Sequence, residues 1–277
     1  MKTIFIVIGG LADVPDPERD GQTPLMAAST PSLDALAKCG CCGSIEAVDA
    51  SVPLSPSTGV LSLLGYDFQR GVVPSSVLKR LGSQQDFPYS ELRLFVVPKF
   101  SGHGVVISDS AEVRGAAVMG MMKPVFPMGE GVVCSKEHSC GSLVDKAALT
   151  IRAIEIFDFV LVYVGEPEAM ALAGDPDGKV EAIEKIDREL ITPVADYVWN
   201  AKMQMNLVVT GDYVTSWQDR RRLHGEVPAV VYFNDDLPYD LNRFDEESVK
   251  EGPLNAPLPG DLIRLLISFE PLPEEER

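Results

Sequence analysis

Four short segments of this chain carry side chains suited to chemistry: residues 9–13, 54–59, 165–177 and 211–215. Among them they hold the carboxylates of Asp13, Glu168 and Asp212 and the hydroxyls of Ser55 and Ser57. Carboxylates hold divalent cations or move protons, and a serine at a helix start acts as a nucleophile when a base or a metal lowers its pKa. Each residue also has a plain structural use. Ser55-Pro56-Ser57-Thr58 reads as an N-cap followed by proline at the first helical position. Asp212 reads equally as an acidic residue closing a strand end. Cys134, His138 and Cys140 include soft metal ligands, but their spacing matches no standard zinc pattern. The thiols read as loop and core residues.

These segments need elements to position them. Strands are expected over residues 3–8, 43–48, 104–108, 159–164, 206–210 and 229–233, which are rich in Val and Ile with little alternation, as in strands buried on both faces. Thr30, as N-cap, and Pro31 open a helix that Gly40 ends. Residues 141–157 carry another. Residues 179–203 carry the longest, with Ile183, Ile186, Leu190 and Val194 at helical spacing. The alternation predicts an α/β fold with a mostly parallel sheet and helices on both faces, and such folds bind ligands at the carboxyl ends of the strands.

Composition narrows the partners. The chain has 277 residues, 24 Lys plus Arg against 41 Asp plus Glu, and a formal net charge of −17. That balance argues against nucleic acid and against an anionic membrane surface. The one basic cluster, Arg220 to Arg222, reads as a solvated helix face or an anion contact. No run reaches the roughly 18 apolar residues of a membrane span. The short apolar run at Met1 to Ile8 reads as a buried strand rather than a signal peptide, so a cytoplasmic protein with reduced thiols is expected. Cys41 and Cys42 read as packing residues. Met119, Met121, Met122 and Met128, near Phe126, read as a core stripe with adaptable contact as the alternative.

Longer motifs carry a resemblance. They are Gly10-Leu11-Ala12-Asp13, Gly21-Gln22-Thr23-Pro24-Leu25-Met26-Ala27-Ala28, Leu61-Ser62-Leu63-Leu64-Gly65-Tyr66-Asp67, Lys179-Val180-Glu181-Ala182-Ile183, Thr210-Gly211-Asp212 and Ser248-Val249-Lys250-Glu251-Gly252-Pro253. In this order they resemble the cofactor-independent phosphoglycerate mutase family of the archaeal type, within the alkaline phosphatase superfamily. The resemblance implies an alkaline phosphatase-like core, two divalent metals held by Asp and His, and a serine at a helix N-terminus that is transiently phosphorylated.

Position by position, the resemblance also implies departures. The family's first Asp ligand falls on Gly9, and its nucleophilic serine falls on Pro56, flanked by Ser55 and Ser57. An Asp and a His ligand fall on Glu168 and Leu172. The Gly-Asp-His block reads Gly211-Asp212-Tyr213, and a later His corresponds to His224. Two metals need several ligands each, so no cofactor is expected, with one residual divalent metal as the alternative. The family's inserted lid domain is also shortened. Residues 1–67 and 103–277 are expected to form the core, 68–102 a remnant of the insert, and 271–277 a disordered tail. The expectation is a catalytically degenerate pseudoenzyme that partners another enzyme in a heteromeric complex, or forms a homo-oligomer. The alternatives are a remodelled phosphoester hydrolase or phosphotransferase, and a small-molecule sensor.

Overall fold

The computed structural model describes residues 2–83, 104–125, 141–233, 241–254 and 260–268. The strands in chain order are β1 (Lys2–Ile8), β2 (Cys41–Glu46), β3 (Gly104–Ser108), β4 (Lys123–Pro124), β5 (Phe159–Val164), β6 (Met205–Gly211), β7 (Val214–Ser216), β8 (Arg221–Leu223) and β9 (Glu226–Phe233). The helices are α1 (Pro24–Ala27), α2 (Pro31–Cys39), α3 (Pro56–Leu63), α4 (Ser75–Gly82), α5 (Ala111–Met119), α6 (Leu143–Ile156), α7 (Glu166–Ala173), α8 (Pro176–Ile186), α9 (Thr192–Trp199) and α10 (Asp261–Ser268).

Seven strands form one sheet in the order β2-β9-β6-β1-β5-β3-β4. β1 lies in its middle, parallel to both β5 and β6. Its apolar run shows no alternation because both faces are covered. Ile4, Ile6 and Ile8 pack with Leu33 of α2, Ile183 of α8, Val194 of α9 and Ile154 of α6. Phe5 and Val7 pack on the other side with Leu61 of α3, Val113 of α5 and Leu262 of α10. Each such side chain contributes about 1.5–3 kcal/mol on burial. The mostly parallel sheet with helices on both faces is therefore present as expected. β9 runs against its neighbours, pairing antiparallel with both β6 and β2.

Three local expectations change. The helix expected over 179–203 begins earlier, at Pro176, and is divided by a π-helical turn, Asp187–Ile191, before α9. Thr30 makes no side-chain cap to α2. Instead Asp187, from that π turn, accepts the backbone N–H groups of Ser32 and Leu33 at 3.1 and 2.8 Å. An acceptor from a packed neighbour thus satisfies the orphan donors of the helix start. Arg220 to Arg222 lie in no helix. They belong to a hairpin in which β7 pairs antiparallel with β8.

The described part of the segment expected to be an insert remnant is tied into the core. Leu78 and Leu81 of α4 are buried in the cluster that holds Val113. α4 and α5 approach so closely that a side chain on Gly82 would strike the Ala111 carbonyl, and one on Gly115 the Leu78 carbonyl. Arg114 fastens the junction, donating to the carbonyl oxygens of Gly82 and Ser108 at 2.9 and 2.7 Å. Met119 and Met122 are buried, while Met121 is exposed with positive φ. Cys42 is buried, and burial pushes its thiol up to about 12. Met128, Cys134, His138, Cys140, residues 84–102 and the tail 271–277 lie outside the described residues. Among the described residues no helix is long and apolar enough to cross a membrane.

Candidate functional site

Because β5, β1 and β6 are adjacent and parallel, their carboxyl ends bring together the loops after Ile8, Val164 and Gly211. Backbone bonds fix them. Glu168 donates its N–H to the Gly9 carbonyl at 3.0 Å, and Thr215 donates to the Ala12 carbonyl at 3.0 Å. Gly10 has φ of +70° and lies against the Glu168 backbone, where a side chain would collide. α3 approaches from the other face, with Gly59 against the Asp212 side chain. Three of the four chemistry-bearing segments therefore meet at the strand ends, and the fourth reaches them through α3.

The centre of the site is the pair Asp212 and Glu168. Asp212 is fully buried. Its Oδ1 accepts the backbone N–H groups of Gly10 and Tyr213 at 3.3 and 3.0 Å, and its Oδ2 accepts the Tyr163 hydroxyl at 3.0 Å. Burial, followed by the nearby charge of Glu168, pushes Asp212 up to about 8. Glu168 is buried as well, and its Oε1 accepts Tyr213 Oη at 2.6 Å and Arg222 Nε at 2.5 Å. Burial works against the charge on Arg222, but Tyr213 and Glu168 outweigh it and raise the guanidinium above its ordinary value.

Gly9 is adjacent to this pair, and its missing side chain is not empty space. A Cβ there would overlap the hydroxyl of Tyr163. Burial and then Asp212 raise Tyr163 well above its ordinary range, so the phenol stays neutral and donates. Leu172 sits half-buried on α7. His224 is exposed, and its charge acts on Asp49 rather than on Asp212.

The serines cap α3 as expected. Ser55 Oγ accepts the Thr58 N–H at 3.2 Å, and Thr58 Oγ1 accepts the Ser55 N–H at 2.8 Å, a reciprocal capping box with Pro56 at the first position. Ser57 is 2% exposed and donates to Glu112 Oε1 at 2.5 Å.

A second buried group lies beside the first. Lys179 is fully buried and donates to Asp13 Oδ2 at 2.7 Å and to the carbonyls of Ala12 and Thr215 at 3.2 and 3.0 Å. Burial pushes the Asp13 carboxyl up and the Lys179 amine down, and their contact opposes both shifts. Glu246 takes the Asp13 N–H and the Thr23 hydroxyl, and burial pushes it up to about 7.

Tyr163, Arg222 and Lys179 are site residues that sequence reasoning did not place. Two left a signal. Lys179 occupies the apolar stripe four residues before Ile183, and Tyr163 is the one hydroxyl in an otherwise apolar strand, where a buried phenol needs a partner. Arg222 left none, because its hairpin has no periodicity to read.

The metals that the family resemblance implies can be tested against these donors. Every carboxylate oxygen of Asp212 has a donor from the chain, and Glu168 Oε1 has two. The position of the first ligand is filled by a phenol. Among the described residues no group of three or more His, Cys, Asp or Glu is placed to hold a metal ion. The donor set does not fit a pair of divalent ions.

Residues 1–235 match the model of a family described as the Metalloenzyme superfamily. Among characterised sequences, the chain is similar to the 2,3-bisphosphoglycerate-independent phosphoglycerate mutase of Methanosarcina barkeri, 29% identical over 165 residues, covering 59% of this chain and 40% of that protein. The Methanosarcina mazei protein of the same name is 29% identical over 123 residues, 44% of this chain and 31% of its own. The matched span is thus under half the length of these relatives. In structure, the PH0037 protein from Pyrococcus horikoshii aligns with a TM-score of 0.83 at 21% identity, over 96% of this chain and 95% of that one. The cofactor-independent phosphoglycerate mutase from Thermoplasma acidophilum aligns at 0.65 and 17% identity, over 96% and 99%. These likenesses concern the fold.

Proposed function

The chain belongs to the Metalloenzyme superfamily, and from that premise we propose that it is a non-catalytic, phosphoglycerate mutase-like member that works by binding a protein partner as a stabilising subunit of another enzyme. The observation that carries this reading is the occupation of Asp212 and Glu168 by Tyr163, Tyr213 and Arg222. A carboxylate committed to internal donors is not available to a pair of metals or to a substrate phosphoryl group. Pro56 offers no hydroxyl at the family's nucleophile position, and Ser55 serves the helix cap. A core kept intact around such a site supports a role in which the surface, not the cleft, does the work.

The test is purification of the untagged native protein, with metal analysis and identification of whatever accompanies it. A stable heteromer with substoichiometric metal is the expected result. Two tightly bound divalent ions per chain overturn the reading. A homo-oligomer alone overturns the partner role.

One contact favours a second reading, a remodelled phosphoester hydrolase. The Ser57 hydroxyl donates to Glu112 at 2.5 Å, the arrangement of a hydroxyl with an adjacent base. Release of phosphate from a small phosphoester, abolished in Ser57→Ala and in Asp212→Ala, would replace the first reading with this one.

A further inference from the structure

The family's metals and this chain's donors disagree, and the disagreement has a specific shape. Two buried carboxyl groups remain, both bound by Tyr213: its N–H donates to Asp212 Oδ1 at 3.0 Å and its hydroxyl to Glu168 Oε1 at 2.6 Å. Buried carboxylates need compensation by charge or by hydrogen bonds. We infer that Arg222 is a tethered cation that takes over, for Glu168, the charge compensation a divalent metal would give, with the Tyr163 and Tyr213 hydroxyls completing the filling of the site. The inference rests on the proposed non-catalytic reading and deepens it.

The geometry is that of a built arrangement. Arg222 Nε meets Glu168 Oε1 at 2.5 Å, and Tyr213 Oη meets the same oxygen at 2.6 Å. The guanidinium also stands 5.7 Å from the Tyr213 ring centre, within reach of a cation–π contact. Arg222 is positioned by its hairpin. It pairs in register with Thr215 of β7, and Thr215 in turn bonds to the Ala12 carbonyl. The hairpin tip is seated too, because Arg220, with φ of 52°, packs its guanidinium where Gly174 lacks a side chain. The Arg222 side chain is 32% exposed while that of Glu168 is 8% exposed. The cation therefore reaches inward from the surface and closes the site as it neutralises it. The exchange at position 9 follows the same logic, with the Tyr163 hydroxyl lying where a ligand side chain would begin.

A double-mutant cycle on the full chain tests this, read by thermal unfolding with and without millimolar MnCl2. Arg222→Ala strands Glu168, and a Tm loss of about 5–10 °C is expected. Arg222→Lys should recover part of it, since a point charge remains. Glu168→Gln combined with Arg222→Ala should recover most of it, since the pair then leaves no uncompensated charge behind. Mn2+ should raise the Tm of Arg222→Ala, and leave the parent and the double variant unmoved. An Arg222→Ala variant within about 2 °C of the parent, a double variant no more stable than Arg222→Ala, or a folded Arg222→Ala variant blind to Mn2+ each overturns the inference. If Arg222→Ala fails to fold, the double variant decides: folded supports the inference, unfolded overturns it. Two divalent ions in the purified parent would instead overturn the non-catalytic reading beneath it. A metal-free parent with an additive cycle overturns only the role of Arg222.

Discussion

Asp212 is a carboxylic acid held where its charge is unwelcome, and that has a measurable consequence. Its folded pKa, about 8, lies above the ordinary value of 3.8. The folded chain therefore binds a proton that the unfolded chain releases, so the group's contribution to stability is full below about pH 4 and is lost as pH rises through about 8. Asp212→Asn keeps the acceptor for Gly10 and Tyr213 and does not titrate. The parent should lose roughly 3 kcal/mol relative to Asp212→Asn between pH 5 and pH 8, measured by urea unfolding across that range. A constant difference between the two proteins would refute the shift. Gly9 gives a steric counterpart. A methyl group there meets the Tyr163 hydroxyl, so Gly9→Ala should cost about 1–3 kcal/mol, read by the same titration. In the sequence Gly9 shows only as a place without a ligand. That a phenol from the next strand fills it depends on the β1–β5 register, which pairs Ile8 with Val164 and sets Tyr163 beside Val7. No local pattern encodes that register.

Most strands are legible because a strand buried on both faces must be apolar throughout; four of the six expected runs begin or end at the residue the structure gives, and 206–210 falls one residue inside Met205–Gly211 at each end. The Cys41–Glu46 strand is displaced, because Cys41 and Cys42 enter the ladder against Val231 and Val230 while Val48 leaves it. What composition could not show was direction, so the antiparallel course of β9 went unread. The helix starts separate what is local from what is not. Ser55 and Thr58 cap α3 within one turn, and Ser55→Ala should cost about 1 kcal/mol. Thr30 also puts a hydroxyl at the N-cap position, yet α2 is capped by Asp187 from a distant turn. Asp187→Ala should therefore cost about 1–3 kcal/mol by leaving two N–H groups without acceptors, and Thr30→Ala under about 1 kcal/mol. Denaturant unfolding of the two variants separates them, and a larger loss from Thr30→Ala would reverse the assignment.

At the scale of the whole molecule, the first strand of the chain lies in the middle of the sheet. The central strand β1 has Thr3 opposite Phe159 on one side and Asn206 on the other. During synthesis at about 5–20 residues per second, β1 emerges roughly 8–30 s before its first partner strand exists. Throughout that interval Ile4, Phe5, Ile6, Val7 and Ile8, all fully buried in the finished fold, have nothing to pair with. Such an unpaired apolar strand is open to aggregation. Nascent chains arrested before Phe159 should be cut readily by protease and should bind a holdase chaperone, whereas chains arrested beyond Phe233 should resist cleavage and release it. Equal protection of the two would mean that β1 finds shelter without its sheet. The strand at the centre of the finished molecule thus spends the synthesis of residues 9–158 without a partner strand at the ribosome, an exposure that a chaperone would have to guard.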